Sequence, residues 1–297
     1  TVLAPRPRPA AAPPRRPRML ARAARRVGPS RCRRRHNPRD ACQLPVHALG
    51  CRAKAVVSAD DAECSSLRAA IARSSLSVVV GCVTEVRGVD AIVNCANEHL
   101  VGTQLPYINL DGSGGCMFDC VDKVIHSKAG TSLHEACMAL EVVRDSEDPT
   151  WGGIRCPVGE ARVTGAFDLP HCSRIVHVVG PQWPDSAEAL QGAYRSCVRA
   201  ALGERAQPIR SMAVPAISAG IQQWPRDMSW AAAVEVLGGH LLQGELGRRA
   251  SEADCDEGPQ RSLDRIVLAA LDEAGGAEAS ECIRRWVDGT LTEDGLL

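Results

Sequence analysis

Val89-Asp90-Ala91-Ile92-Val93-Asn94-Cys95-Ala96-Asn97 is the stretch on which the reading of this chain turns. A short apolar, β-branched run closes on two amides, as a buried strand does when it ends at a polar surface. From about residue 75 similar runs alternate with helical patterns. Strands are expected at 76–83, 91–94, 161–164, 174–179, 211–215 and 265–271, and helices at 121–128, 132–140, 187–202, 228–241 and 279–291. Such alternation implies crossover connections and a mostly parallel sheet with helices on both faces. The expected fold is therefore an α/β three-layer domain over residues 75–291.

Three segments break the alternation: 101–116 is Gly-rich and polar, 143–153 is acidic, and 244–262 is polar without periodicity. They read as surface insertions, because turn residues cluster where helix and strand periods fail. Residues 40–74 read as a linker or an N-terminal helix. No internal repeat is visible, which argues against solenoids and propellers.

Composition bounds the rest. The 297 residues are 45% hydrophobic, enough for a packed core. No run approaches the roughly 18 uncharged apolar residues of a membrane-spanning helix. The formal charge of zero hides an asymmetry. Residues 1–39 hold 13 Arg, eight Pro and no acid, leaving a formal charge of −13 on 40–297. That arm has too little apolar surface to offset the entropy of ordering, so disorder is expected. Met19 opens an Arg-rich, acid-free segment in the manner of a transit peptide, so a mitochondrion or plastid is one expected destination, with cytoplasm or nucleus the other. No aromatics interleave with the arginines, so a nucleic-acid partner is not expected. Nothing calls for an oligomer, and a monomer is expected.

The 14 cysteines include several inside apolar runs, such as Cys82 and Cys95, and no C-x-x-C pair occurs. They read as buried thiols. Cys116, Cys120, His126 and Cys137 approach a metal pattern but match no zinc spacing, so neither a metal nor a cofactor is expected.

Chemistry concentrates where predicted strands end, the edge at which open α/β sheets bind ligands. Asn94 and Asn97 close the strand at 91–94. In Cys120-Val121-Asp122-Lys123-Val124-Ile125-His126 an acid stands in a first helical turn. Ser218-Ala219-Gly220-Ile221 follows the strand Ala213-Val214-Pro215. A side-chain-poor bend ahead of a helix offers converging N–H groups to a diphosphate, although such turns also merely connect. Asn97 suits vicinal ribose hydroxyls, or ends its strand as a left-handed turn residue. Asp122 can hold a water or a ribose hydroxyl, or serve only the helix dipole.

These segments resemble the macrodomain family of ADP-ribose-binding folds, and its MacroD-like hydrolase branch in particular. Gly159-Glu160-Ala161-Arg162-Val163-Thr164, Leu169-Pro170 and Ile175-Val176-His177-Val178-Val179-Gly180-Pro181 continue the match, and Ile154-Arg155-Cys156-Pro157 is similar to plant and algal members. The resemblance implies Asn97 and Asp122 as catalytic residues. It implies a ligand surface of Val83, Asn94, Ala96, Val121, Ile125, Ser218, Ala219, Gly220, Ile221, Gln222 and Trp224. The implied partner is ADP-ribose or an ADP-ribosylated protein. The implied reaction removes mono-ADP-ribose from glutamate or aspartate side chains, or cleaves O-acetyl- and other O-acyl-ADP-ribose esters. A non-catalytic reader and a degenerate macrodomain are the alternatives.

The pattern is broken in four places. Cys82 stands where the family has the acid that bonds the adenine amino group. Loss of one such bond costs about 1.5–3 kcal/mol, or about ten- to a hundredfold in affinity. The glycine loop before Asp122 is stretched, with Met117, Phe118 and Asp119 beside it. Lys123 replaces a glycine. Gln222-Gln223-Trp224 lacks the aromatic expected at 222, leaving Trp224 to stack on a ligand or to pack in the core.

Overall fold

The computed structural model describes residues 61–103, 120–146, 152–253 and 262–291, all within the unit Val56–Leu297. The basic arm 1–39, Met117, Phe118, Asp119 and most of the 101–116 insertion lie outside the described residues, as do 147–151 and 254–261 of the other two.

The elements run in chain order as α1 (Asp61–Ser74), β1 (Leu76–Val80), β2 (Ala91–Cys95), α2 (Val121–Ala129), α3 (Thr131–Met138), β3 (Ala161–Gly165), β4 (Arg174–Val178), α4 (Ala187–Gly203), β5 (Ser211–Val214), α5 (Arg226–Ala233), α6 (Gly239–Ala253), β6 (Arg265–Ala270) and α7 (Glu273–Val287). The six strands form one sheet in the order β1-β6-β5-β2-β4-β3. Every neighbouring pair is parallel except β3 with β4, which is antiparallel.

Side chains alternate between the two faces with the strand period of two. Ala91, Val93, Val176, Val178, Met212 and Val214 join one core with residues of α1, α4, α5, α6 and α7. Ile92, Ile175, Ala213 and Val267 join the other with Ile125, Ala129, Leu133 and Cys137 of α2 and α3. The molecule is thus a three-layer α/β domain with a mixed, mostly parallel sheet.

Two helical expectations needed correction. Residues 244–253, read as irregular, continue α6 instead. Leu246 packs against the larger core, and Glu245 pairs with Arg248 at 2.9 Å and Arg249 at 3.2 Å, which offsets Gly244 and Gly247 in this extension. The last helix opens at Glu273 rather than at 279, because the Asp272 side chain accepts from Gly275 N–H at 2.7 Å as an N-cap. Gly276 belongs to that turn because a Cβ there would lie 2.7 Å from Val80 Cγ2.

Candidate functional site

Because β1, β6, β5, β2 and β4 run parallel, their carboxyl ends share one sheet edge. Cys82 and Val83, Asn97, Gly180 to Trp183 and the bend from Ser218 therefore leave the sheet on the same side. Contacts tie these exits together. Trp183 N–H donates to Gln222 O at 2.8 Å. A Cβ on Gly180 would stand 2.1 Å from Ser218 Oγ, so the approach of these two loops requires glycine there.

The bend is folded on itself. Ser218 takes φ +65° and Gln223 φ +61°, Gln223 N–H donates to Gly220 O at 2.9 Å, and Trp224 N–H donates to Ser218 O at 3.0 Å. Buried side chains anchor it from beneath. Ile217 N–H donates to the Tyr194 hydroxyl of α4 at 2.9 Å, which donates to Ser229 Oγ of α5 at 2.7 Å, which donates to Ile217 O at 2.7 Å. Gly220 and Ile221 are exposed, and Ala219 and Gln222 are half-buried. Trp224 is buried at 2% exposure, so its ring packs in the core and against Trp183, edge to face at 5.0 Å.

Asp122 sits in the first turn of α2, 2% exposed. Its Oδ1 accepts from Asn94 Nδ2 at 2.8 Å and its Oδ2 from Thr103 Oγ1 at 2.8 Å. His126, one turn on, holds Nε2 3.5 Å from Oδ1. Burial outweighs that carboxylate and pulls the His126 pKa below its ordinary value, so the contact is not an ion pair at neutral pH. Asn97 is half-buried, and its Oδ1 accepts from Val101 N–H at 3.3 Å. Segment 101–103 thus touches both Asn97 and Asp122. Its Gly102, at φ +76°, passes so near the His126 ring that a Cβ would lie 2.9 Å from it.

Asn94 and Ile125 are fully buried, inside the core behind the edge, and the Asn94 amide points at protein partners. Ala96 N–H is used by Val178 O at 2.8 Å. Val121 is half-buried. Val83 is buried and opens a short 3-10 turn to Glu85 behind Cys82. Cys82 Sγ lies 3.1 Å from Thr84 Oγ1, and the nearest acid along the chain, Glu85, is bound to Lys128. Two residues with no role assigned from the sequence join the site: Thr103 and His177.

His126, Cys137 and His177 place one donor atom each within 4.8 Å of the others, a nitrogen and sulfur set of the kind zinc takes. The protons oppose it. Thr164 Oγ1 gives its one proton to Gly165 O at 3.1 Å and so accepts from His177 Nε2–H at 2.9 Å. Asn94 Nδ2 has no lone pair to offer, so His177 Nδ1 accepts from it at 3.1 Å. Neither ring nitrogen of His177 has a lone pair left for a metal.

The Macro domain family model matches residues 93–233. A Macro domain-containing protein of Xanthomonas axonopodis pv. citri is 40% identical over 154 residues, 50% of this chain and 71% of that one. An O-acetyl-ADP-ribose deacetylase of Salmonella gallinarum is 32% identical over 204 residues, 67% of this chain and 98% of its relative. Among solved structures, an Oceanobacillus iheyensis macrodomain mutant with ADPR superposes with a TM-score of 0.52 at 24% identity, covering 72% of this chain and 94% of that one. Sheet order, the shared strand edge and these relatives agree: the chain belongs to the macrodomain family.

Proposed function

We propose that the chain binds ADP-ribose at the carboxyl edge of its sheet and hydrolyses O-acyl esters of ADP-ribose. The observation that carries this reading is the meeting of the Ser218 bend, Asn97 and the enclosed Asp122 carboxylate along one edge. The bend faces the diphosphate with main chain and small side chains. The Asn97 amide orients the ribose through its hydroxyls. Asp122 retains free lone pairs on both oxygens beyond the bonds from Asn94 and Thr103, and accepts a proton as water attacks. The water oxygen joins the acyl carbon, the bond from that carbon to the ribose oxygen breaks, and the ribose hydroxyl leaves protonated. Two relatives support this assignment: a deacetylase of O-acetyl-ADP-ribose that the chain covers almost entirely, and a fold neighbour with ADPR.

The test follows acetate release from O-acetyl-ADP-ribose by the wild-type chain and by Asn97→Ala and Asp122→Ala. Removing a group that positions or deprotonates the reactant lowers kcat on the order of a hundredfold, and wild-type turnover no faster than both variants overturns the reaction. A second reading, an ADP-ribose reader without turnover, is favoured by the 2% exposure of Asp122. Saturable ADP-ribose binding in a calorimeter, with no acetate released, selects it.

A further inference from the structure

We infer that His177 is a positioning residue, holding the Asp122 carboxylate in place through the side chain of Asn94. The inference rests on the role given to Asp122 above and extends it to a residue that touches no substrate. Asn94 and His177 are direct partners across the parallel β2–β4 pair. Thr164 projects beside them from the antiparallel neighbour β3, where Arg162 pairs with His177. All three lie on the face covered by α2, which carries Asp122.

Hydrogen-bond directions around this chain admit one assignment. Thr164 gives its proton to Gly165 O, so it accepts from His177 Nε2–H. The opposite ring nitrogen is then bare and accepts one Asn94 Nδ2 proton. The second Asn94 proton goes to Asp122 Oδ1 at 2.8 Å. The amide is thus held at both hydrogens, which fixes its rotation and with it the direction from which the carboxylate is gripped.

Thr164 is 7% exposed, Asn94 and His177 0%, and Asp122 2%. Burying four polar groups costs more than an apolar core of the same volume unless every bond is made. Asn94 Oδ1 is left with no partner in this arrangement, so the amide orientation is set by what its nitrogen must do rather than by full satisfaction. An isolated structural amide would turn freely between its two faces. Here only one face serves both His177 and Asp122.

Two variants separate positioning from packing. His177→Asn keeps an acceptor near the place of Nδ1, whereas His177→Gln carries its amide out to the place of Nε2 and leaves Asn94 ungripped. Both bury an amide, so the stability losses are matched. With O-acetyl-ADP-ribose as the probe, His177→Gln is expected to lose kcat on the order of ten- to a hundredfold with KM near wild type, as misplacement of a reacting group does. His177→Asn is expected to retain most of kcat. Equal kcat in wild type and His177→Gln, or equal losses in the two variants, overturns the inference.

A second measurement is independent of turnover and of variant folding. Imidazole 15N NMR of the wild-type chain, with His177 assigned by isotope-labelled histidine and its ring contacts, reports the tautomer. A protonated Nε2 with a bare Nδ1 upholds the arrangement, and a protonated Nδ1 overturns it. An inactive wild-type chain would sink the proposed reaction and leave the tautomer to decide this inference.

Discussion

Gly180 shows how much one residue decides at this edge. With hydrogen as its side chain, the loop after β4 lies against Ile217 and Ser218; a methyl there would meet Ser218 Oγ at 2.1 Å and Ile217 Cγ2 at 2.7 Å. Gly180→Ala must push the bend away from its seat, since the second clash is with a buried side chain rather than a flexible tip. Calorimetry should record ADP-ribose binding weakened on the order of tenfold, about 1.4 kcal/mol. Unchanged affinity would mean that the bend does not hold the ligand. Other residues at this scale were visible in the sequence as types but not as roles. Trp224 offered a stacking ring on paper, yet its 2% exposure commits the ring to the core, leaving Trp183 as the half-exposed aromatic beside the loop.

Among elements, α4 and α5 hold the bend at the sheet's carboxyl edge from below. Tyr194 and Ser229 are far apart in sequence and form a closed set of hydrogen bonds around Ile217. Tyr194→Phe removes the acceptor for a buried Ile217 N–H, at a cost of about 1–3 kcal/mol. Chemical denaturation should show this as a lower midpoint with an unchanged slope. A loss in ADP-ribose affinity should accompany it, because the bend loses its anchor. A midpoint equal to wild type would show that another acceptor replaces the hydroxyl. The same layer explains why α6 extends past its expected end: tertiary cover for Leu246 and the Glu245 pairs outweigh the glycines that made the segment look irregular.

At the scale of the molecule, buried neutral histidines tie stability to pH. Burial, with the neighbouring His126 second, pushes the His177 pKa down to about 3, against an ordinary value near 6.5. The unfolded chain takes a proton that the native ring refuses. This contribution is therefore complete above about pH 6.5 and drains as pH falls toward about 3. Over that window the His177 contribution falls by about 1.4 kcal/mol per pH unit. Urea unfolding at pH 6.5, 5.5 and 4.5 should give a steeper decline for wild type than for His177→Gln, by one histidine's worth. Parallel declines would show that His177 is protonated in the native state or exposed.

The sequence by itself determined the layered α/β fold and the family, because periodicity and the turn residues after each strand are local properties written along the chain. It also marked Asn97, Asp122 and the Ser218 bend as belonging together. Only the tertiary structure decided what surrounds them. Asn94, His177 and Thr164 come from three strands, and Asn94 and His177 stand 83 residues apart in sequence, while Thr103 and Gly102 lie against Asp122 and His126 of α2. Whether an amide faces a ligand or a carboxylate depends on which strand lies beside it and in what register. No window of sequence contains that information, because packing sets it only when the strands meet.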